Sequence, residues 1–103
     1  MKTTHHWDNL PTTIQRVLEK VIEVCDPEKI ILFGSRARGD HRTNSDFDIA
    51  IRGIKCNDQA WTRLLVELEE EPGSLYQIDL VQFEELAKDY KLNISAEGKI
   101  LYG

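Results

Sequence analysis

The chain reads as a small α/β (α+β) domain, a small β-sheet covered by helices. Two observations predict this class. Apolar residues recur at helical spacing in three stretches and at strand spacing in three others, in the order helix, strand, strand, helix, strand, helix. The length, 103 residues, suits one hydrophobic core and little else. No internal repeat, linker or low-complexity segment divides the chain. Residues 11–103 are therefore expected to form one domain, preceded by a tail, 1–10, expected to be mobile.

The first helix is PTTIQRVLEKVIEVC, 11–25. Ile14, Val17, Leu18, Val21, Ile22 and Cys25 share one face, and Gln15, Arg16, Glu19, Lys20 and Glu23 make the polar one. Pro11 suits its first turn, and Asp26-Pro27 ends it. KIILF, 29–33, is apolar and β-branched and stops at Gly34, the pattern of a buried strand. DFDIAIRG, 46–53, alternates: Phe47, Ile49 and Ile51 lie opposite Asp46, Asp48, Ala50 and Arg52. A second helix is predicted over 57–71, with Asn57 as N-cap and Trp61, Leu64, Leu65 and Leu68 inward. Glu69, Glu70 and Glu71 at its end read as a solvated face. After the turn Pro72-Gly73-Ser74, YQIDLVQ (76–82) alternates again, with Tyr76, Ile78 and Leu80 opposite Gln77, Asp79 and Val81. A third helix is predicted from about Phe83 to Leu92 on Phe83, Leu86, Ala87 and Tyr90. The last residues hold a stop at Gly98 and a short apolar end that suits an edge strand.

Composition narrows the function classes. A net charge of −5 argues against nonspecific binding to a nucleic-acid backbone, which needs lysine and arginine to replace counterions. It leaves a nucleotide ligand open, because a metal-bound triphosphate brings its own cations. No apolar run approaches a membrane span, and MKTTHHWDNLP lacks the apolar segment of a signal peptide, so a cytoplasmic location is expected. Cys25 and Cys56 form no CxxC pair and are too few for a disulfide framework. Cys25 is expected as a buried free thiol; Cys56 fits a surface thiol.

Three features carry chemistry. A buried strand running into Gly34-Ser35 lets the backbone turn sharply and approach a ligand. Should a helical turn start after Ser35, its N–H groups point at any phosphate there, with the Ser35 hydroxyl and Arg36 as further donors. Taken alone, the pair also describes an ordinary turn. Asp46 and Asp48, at i and i+2 of a strand, face the same side roughly 7 Å apart. Like charges this close repel unless a cation sits between them, although the pair would also suit a surface strand edge. Asp79, between Ile78 and Leu80, either faces solvent or joins Asp46 and Asp48 from a neighbouring strand. Three such carboxylates suit magnesium, and two magnesium ions suit displacement at phosphorus.

Phe33-Gly34-Ser35, ten intervening residues, Asp46-Phe47-Asp48 and the later Asp79 resemble the polymerase-β-type nucleotidyltransferase superfamily. FGSRARGD…SDFDIAI resembles its minimal (MNT) branch, over roughly residues 11–103. The resemblance implies a short mixed β-sheet flanked by helices, with Gly34 and Ser35 holding the triphosphate of ATP; Arg36 and Arg38 beside them are further candidate donors. It implies that Asp46 and Asp48 bind two Mg2+ ions and that Asp79 binds the catalytic one and helps activate an attacking hydroxyl. MNT proteins are often antitoxins of an HEPN-domain ribonuclease, and some add AMP from ATP to a tyrosine of that toxin. The implied activity is transfer of AMP, or another NMP, to a hydroxyl of a partner protein, within a homo- or hetero-oligomer. Two alternatives stand beside it: an antitoxin that acts by occlusion without catalysis, and a small-molecule adenylyltransferase. The presence of all three acids counts against the first, and the lack of a substrate domain against the second.

Other residues are less telling. Arg38 and Arg42 suit either phosphate contacts or solvated loop cations. His5, His6 and His41 make a thin case for metal. Trp7 suits packing or a partner contact, and Tyr90 and Tyr102 suit the core or its rim better than a nucleotide base.

Overall fold

Helix α1, Thr12–Cys25, forms where the apolar stripe predicts it, and Ile14, Val17, Leu18, Val21 and Cys25 are buried along it. Its end is set by Asp26, whose N–H bonds the carbonyl of Ile22 from a left-handed conformation (φ 43°) that short polar residues tolerate. The computed structural model describes residues 6–39, 46–69 and 77–103. The Pro72-Gly73-Ser74 turn, Glu70, Glu71, Tyr76, His5, His41 and Arg42 lie outside these residues, as does the side chain of Ser35.

Strand β1, Lys29–Phe33, follows, then a four-residue helix α2, Ser35–Arg38, and strand β2, Phe47–Arg52. Helix α3 spans Asp58–Glu69 and begins at a true cap: the side-chain oxygen of Asn57 accepts the Ala60 N–H at 2.8 Å. Strand β3, Ile78–Gln82, helix α4, Lys88–Glu97, and strand β4, Lys99–Tyr102, complete the chain. The strands form one mixed sheet in the order β3-β2-β1-β4. β1 pairs antiparallel with both β2 and β4, whereas β2 and β3 run parallel, joined through α3. β4 is thus an edge strand, as its short apolar sequence suggests.

The two sheet faces bury different things. Ile30, Leu32, Phe47, Ile49 and Ile51 pack with α1 and α3 in the main core. Ile31 and Ala50 pack with Ile94 of α4 in a smaller cluster, bordered by Phe33, Val81, Phe83 and Leu86. Trp7 is a packing residue: it is buried in the main core and stacks on Tyr102 at 6.4 Å. Its neighbour His6 donates its N–H to Leu101 at 2.7 Å, so residues 6–10 lie against the sheet edge.

The third predicted helix needs correction. Phe83–Glu85 form a single 3-10 turn, Leu86 and Ala87 are extended, and α4 starts at Lys88 and continues to Glu97. Two long-range contacts hold the turn apart from the helix. The Glu84 carboxylate accepts the Gly53 N–H at 3.1 Å, and Arg52 lies over the Phe83 ring at 5.3 Å. Phe83 and Leu86 pack inward with the break in place, so their spacing cannot reveal it. Tyr90, read as a core or rim residue, is 61% exposed, and Ile94 is the residue that α4 buries. Gly98 does end the helix, donating its N–H to Ile94.

Candidate active site

The site forms where β1 ends and β2 begins. Gly34 adopts φ +75°, a conformation that a side chain resists, and its carbonyl accepts the N–H groups of Ala37 and Arg38, opening α2. The N–H groups ahead of those two, at Ser35 and Arg36, open the turn, and the leading N–H groups of a helical turn suit a phosphate. A methyl group at position 34 would overlap the carboxylate of Asp48. The turn and the acid are therefore in direct contact, which sequence spacing alone could not show.

Strand pairing places the acids. Asp48 stands opposite Asp79 in the parallel β2–β3 register, about 4.8 Å apart at the backbone. The assumption on which Asp79 depends, that its strand lies beside that of Asp46 and Asp48, holds. Asp46 sits one residue before β2, exposed, and the next N–H, that of Phe47, bonds the carbonyl of Gln77 at 2.9 Å. Asp79 is also exposed, and Asp48 is half-buried. Burial raises the Asp48 carboxyl above its ordinary value; the charges of Asp79 and then Asp46 raise it further, and Arg38 opposes them. The acids therefore sense one another electrostatically.

This crowding fits a divalent cation, which would offset the repulsion. Among the described residues no three acid, histidine or cysteine side chains enclose a metal point unaided. A magnesium ion here would need phosphate and water to complete its shell.

The two arginines differ. Arg38 is close enough to Asp48 to favour its ionised form. Arg36 places its guanidinium over the ring of Phe47, 3.9 Å from its centre. Phe47 belongs to the main core, on the other side of the strand from Asp48, so this cation–π contact ties α2 to β2. Neither role was separable in the sequence, where both arginines simply precede the acids.

An open cleft of about 630 Å³ is lined in part by two of the acids, Asp46 and Asp79. Thr13 and Val17 of α1, Leu65, Leu68 and Glu69 of α3, and residues 77–80 line it together with Asp46. Asp79 and Asp46 thus form one wall of a half-apolar cleft. Glu69, expected on a solvated face, is exposed and stands at its rim. The sequence signal for this cleft was faint: Leu65 and Leu68 read as ordinary inward residues of a helix. No helix among the described residues is long and apolar enough to cross a membrane.

Known proteins resemble this chain in sequence and fold. The family model described as polymerase beta, nucleotidyltransferase, matches residues 12–103. A candidate protein adenylyltransferase of Methanocaldococcus jannaschii is 33% identical over 78 residues, covering 73% of this chain and 78% of that protein. The crystal structure of a toxin–antitoxin with AMP-PNP superposes with a TM-score of 0.64 at 27% identity, over 89% of this chain and 72% of that one. A mutant toxin–antitoxin named MntA-HpeT, with two Asp-to-Glu changes one residue apart, gives 0.61 at 26% identity, over 89% and 71%. A parallel β2–β3 pair, a Gly-Ser turn against an Asp-x-Asp strand and these matches lead to one conclusion. The chain belongs to the polymerase beta nucleotidyltransferase family, in its minimal branch, and is a nucleotidyltransferase.

Proposed function

We propose that the protein transfers AMP from ATP, with magnesium, to a hydroxyl of a partner protein, and that the partner is an HEPN-type ribonuclease toxin which it neutralises. The observation that carries this reading is the position of the acids between two different openings. The Gly34 turn touches Asp48 from the β1 side, Asp79 flanks Asp48 on the β3 side, and Asp79 and Asp46 line the cleft. Displacement at phosphorus needs the attacking and leaving oxygens on opposite sides. The triphosphate fits the turn, and the acceptor hydroxyl fits the cleft.

Magnesium held by Asp46, Asp48 and Asp79 would supply charge neutralisation for the phosphates and lower the cost of ionising the acceptor hydroxyl. The protein does the rest by position. Gly34 and the N–H groups after it seat the phosphates, with Ser35 beside them, and Arg38 adds a cation at Asp48. Arg36, stacked on Phe47, fixes the helical turn relative to the strand. Asp79, which lines the cleft, would take the proton of the incoming hydroxyl.

The cleft favours a protein acceptor. Its described lining includes Val17, Leu65, Leu68, Ile78 and Leu80 with acids at the rim, and no lysine or arginine for a nucleic-acid phosphate. The M. jannaschii relative is named for protein adenylylation, and two of the matched structures are toxin–antitoxin assemblies, one holding an ATP analogue. Both names support the reading.

The test combines labelled ATP, Mg2+ and the protein encoded beside this one. Label should pass to that neighbour, depend on Mg2+, and vanish with Asp46→Asn or Asp48→Asn. Full neutralisation of a toxin by the double variant, with no label moved, would replace the reading with occlusion. Labelling of a small hydroxylated compound in place of the protein would replace it with small-molecule transfer.

A further inference from the structure

The two cysteines lie outside this site, at the other end of the sheet. Cys25 ends α1, whose first turn borders the cleft, and Cys56 lies in the loop beyond the last residue of β2, whose first residue follows Asp46. The chain brings them together across about thirty residues: Cys56 Sγ is 3.2 Å from Cys25 Sγ. Sequence suggested a buried thiol and a separate surface thiol. The structure corrects the second, for Cys56 is half-buried against the core, its sulfur on that of Cys25.

We propose that Cys25 and Cys56 are a dithiol modification site that closes to an intramolecular disulfide on reaction with a low-molecular-weight disulfide. Three observations carry it. The sulfurs are about 1.2 Å beyond bonding distance, a gap that small side-chain rotations can close. The backbone is already held at the right place, because the Lys55 N–H bonds the carbonyl of Cys25 at 2.8 Å. Lys55 Nζ further pairs with Asp26 at 3.4 Å and bonds the Asp26 carbonyl at 3.2 Å. The two sulfurs also differ in access: Cys25 is fully buried, and Cys56 is partly exposed.

Access sets the order of events. The Cys56 sulfur attacks one sulfur of the small disulfide, forming a mixed disulfide and releasing one small thiol, which carries off the Cys56 proton. Cys25 then attacks the Cys56 sulfur, forming the internal bond; the second small thiol leaves with the Cys25 proton. Two electrons and two protons pass from the protein to the small disulfide, which is reduced to two thiols. Cys25 starts as a poor nucleophile, its thiol pushed up to about 12 by burial first, then by its hydrogen bond and charge interaction with Cys56. The last two causes disappear once Cys56 carries the mixed disulfide, while burial, the largest, remains. The closed loop encircles β1, α2 and β2, and therefore Gly34, Asp46 and Asp48.

The probe is oxidised glutathione, added in excess to the native full-length chain, followed by alkylation under denaturing conditions and intact-mass measurement. The expected product is a monomer lighter by two hydrogens, with neither cysteine alkylated. Its melting temperature should exceed that of the reduced protein by roughly 15 °C, the gain for a loop of this size. Cys56→Ser should lose both changes. Cys25→Ala should instead stop at one stable glutathione adduct on Cys56; because that change alters the buried core, Cys56→Ala provides the independent control. Two alkylatable thiols after oxidation, a disulfide-linked dimer, or an undiminished temperature shift in Cys56→Ser would each overturn the proposal.

Discussion

The two faces of the sheet have opposite tasks. The face toward α1 and α3 is packed with fully buried Ile30, Phe47, Ile49 and Ile51. The face toward α4 holds a smaller cluster, and Asp48 and Asp79 stand on it at one end. A dense core on one side lets the other carry like charges that burial and repulsion make costly. Alternation along β2 makes the division possible, since successive residues are sent to opposite faces.

The largest effect should come from the acid-bearing face. Asp48→Asn or Asp46→Asn is expected to lower nucleotidyl transfer on the order of a thousandfold, the scale at which loss of one charge-stabilising group at a reacting centre acts. Circular dichroism should show an intact fold, because neither side chain belongs to the core. Retention of more than a tenth of the wild-type rate would mean that this end of the sheet is not where transfer occurs.

Next come the cores themselves. Ile49→Ala, at a fully buried position of the main core, should cost about 4 kcal/mol in urea unfolding, and Ile94→Ala in the smaller cluster about 2 kcal/mol. Equal losses would erase the distinction drawn between the faces. A smaller loss is expected at the turn joining the site to both. Gly34→Ala must hold a left-handed φ and displace Asp48, which should cost about 1–2 kcal/mol of stability and weaken nucleotide binding roughly tenfold.

What could be read in the sequence was what depends on local periodicity. The stripe of α1, the run KIILF, the alternation of 46–53 and the Asn57 cap are all set by neighbours within a few residues. The Gly-Ser to Asp-x-Asp spacing pointed to one end of the candidate site through its resemblance to a known family rather than through periodicity. The parallel pairing that sets Asp79 beside Asp48 required an assumption, because register is decided by the whole sheet. The break at Leu86 was not legible, since Glu84 is captured by Gly53 from another element. The contact of Cys56 with Cys25 and the burial of Trp7 were hidden for the same reason. Arg36 and Arg38 looked alike until Phe47, eleven residues from one and nine from the other, claimed Arg36 in space.

The subtlest expectation concerns the free-energy cost of the acid cluster when no metal is added. Asp48 is held above its ordinary value by burial, then by Asp79 and Asp46. In the unfolded chain its value returns to about 3.9. Between that value and the raised one, the folded protein keeps a proton that the unfolded chain has lost, so stability falls as pH rises through this window. Below the window both states are protonated and the penalty is absent; above it both are ionised and the penalty is constant. Asp48→Asn removes the group and should flatten this fall, leaving the metal-free variant a few degrees more heat-stable than the wild type at neutral pH. Magnesium with a nonhydrolysable ATP analogue should raise the wild-type melting temperature and leave the variant nearly unmoved, because ligand binding stabilises only the form that can bind. A metal-free variant that melts below the wild type would show that Asp48 supports the fold it was placed to burden. The two faces would then differ in packing alone, and the acids would need no compensating cation.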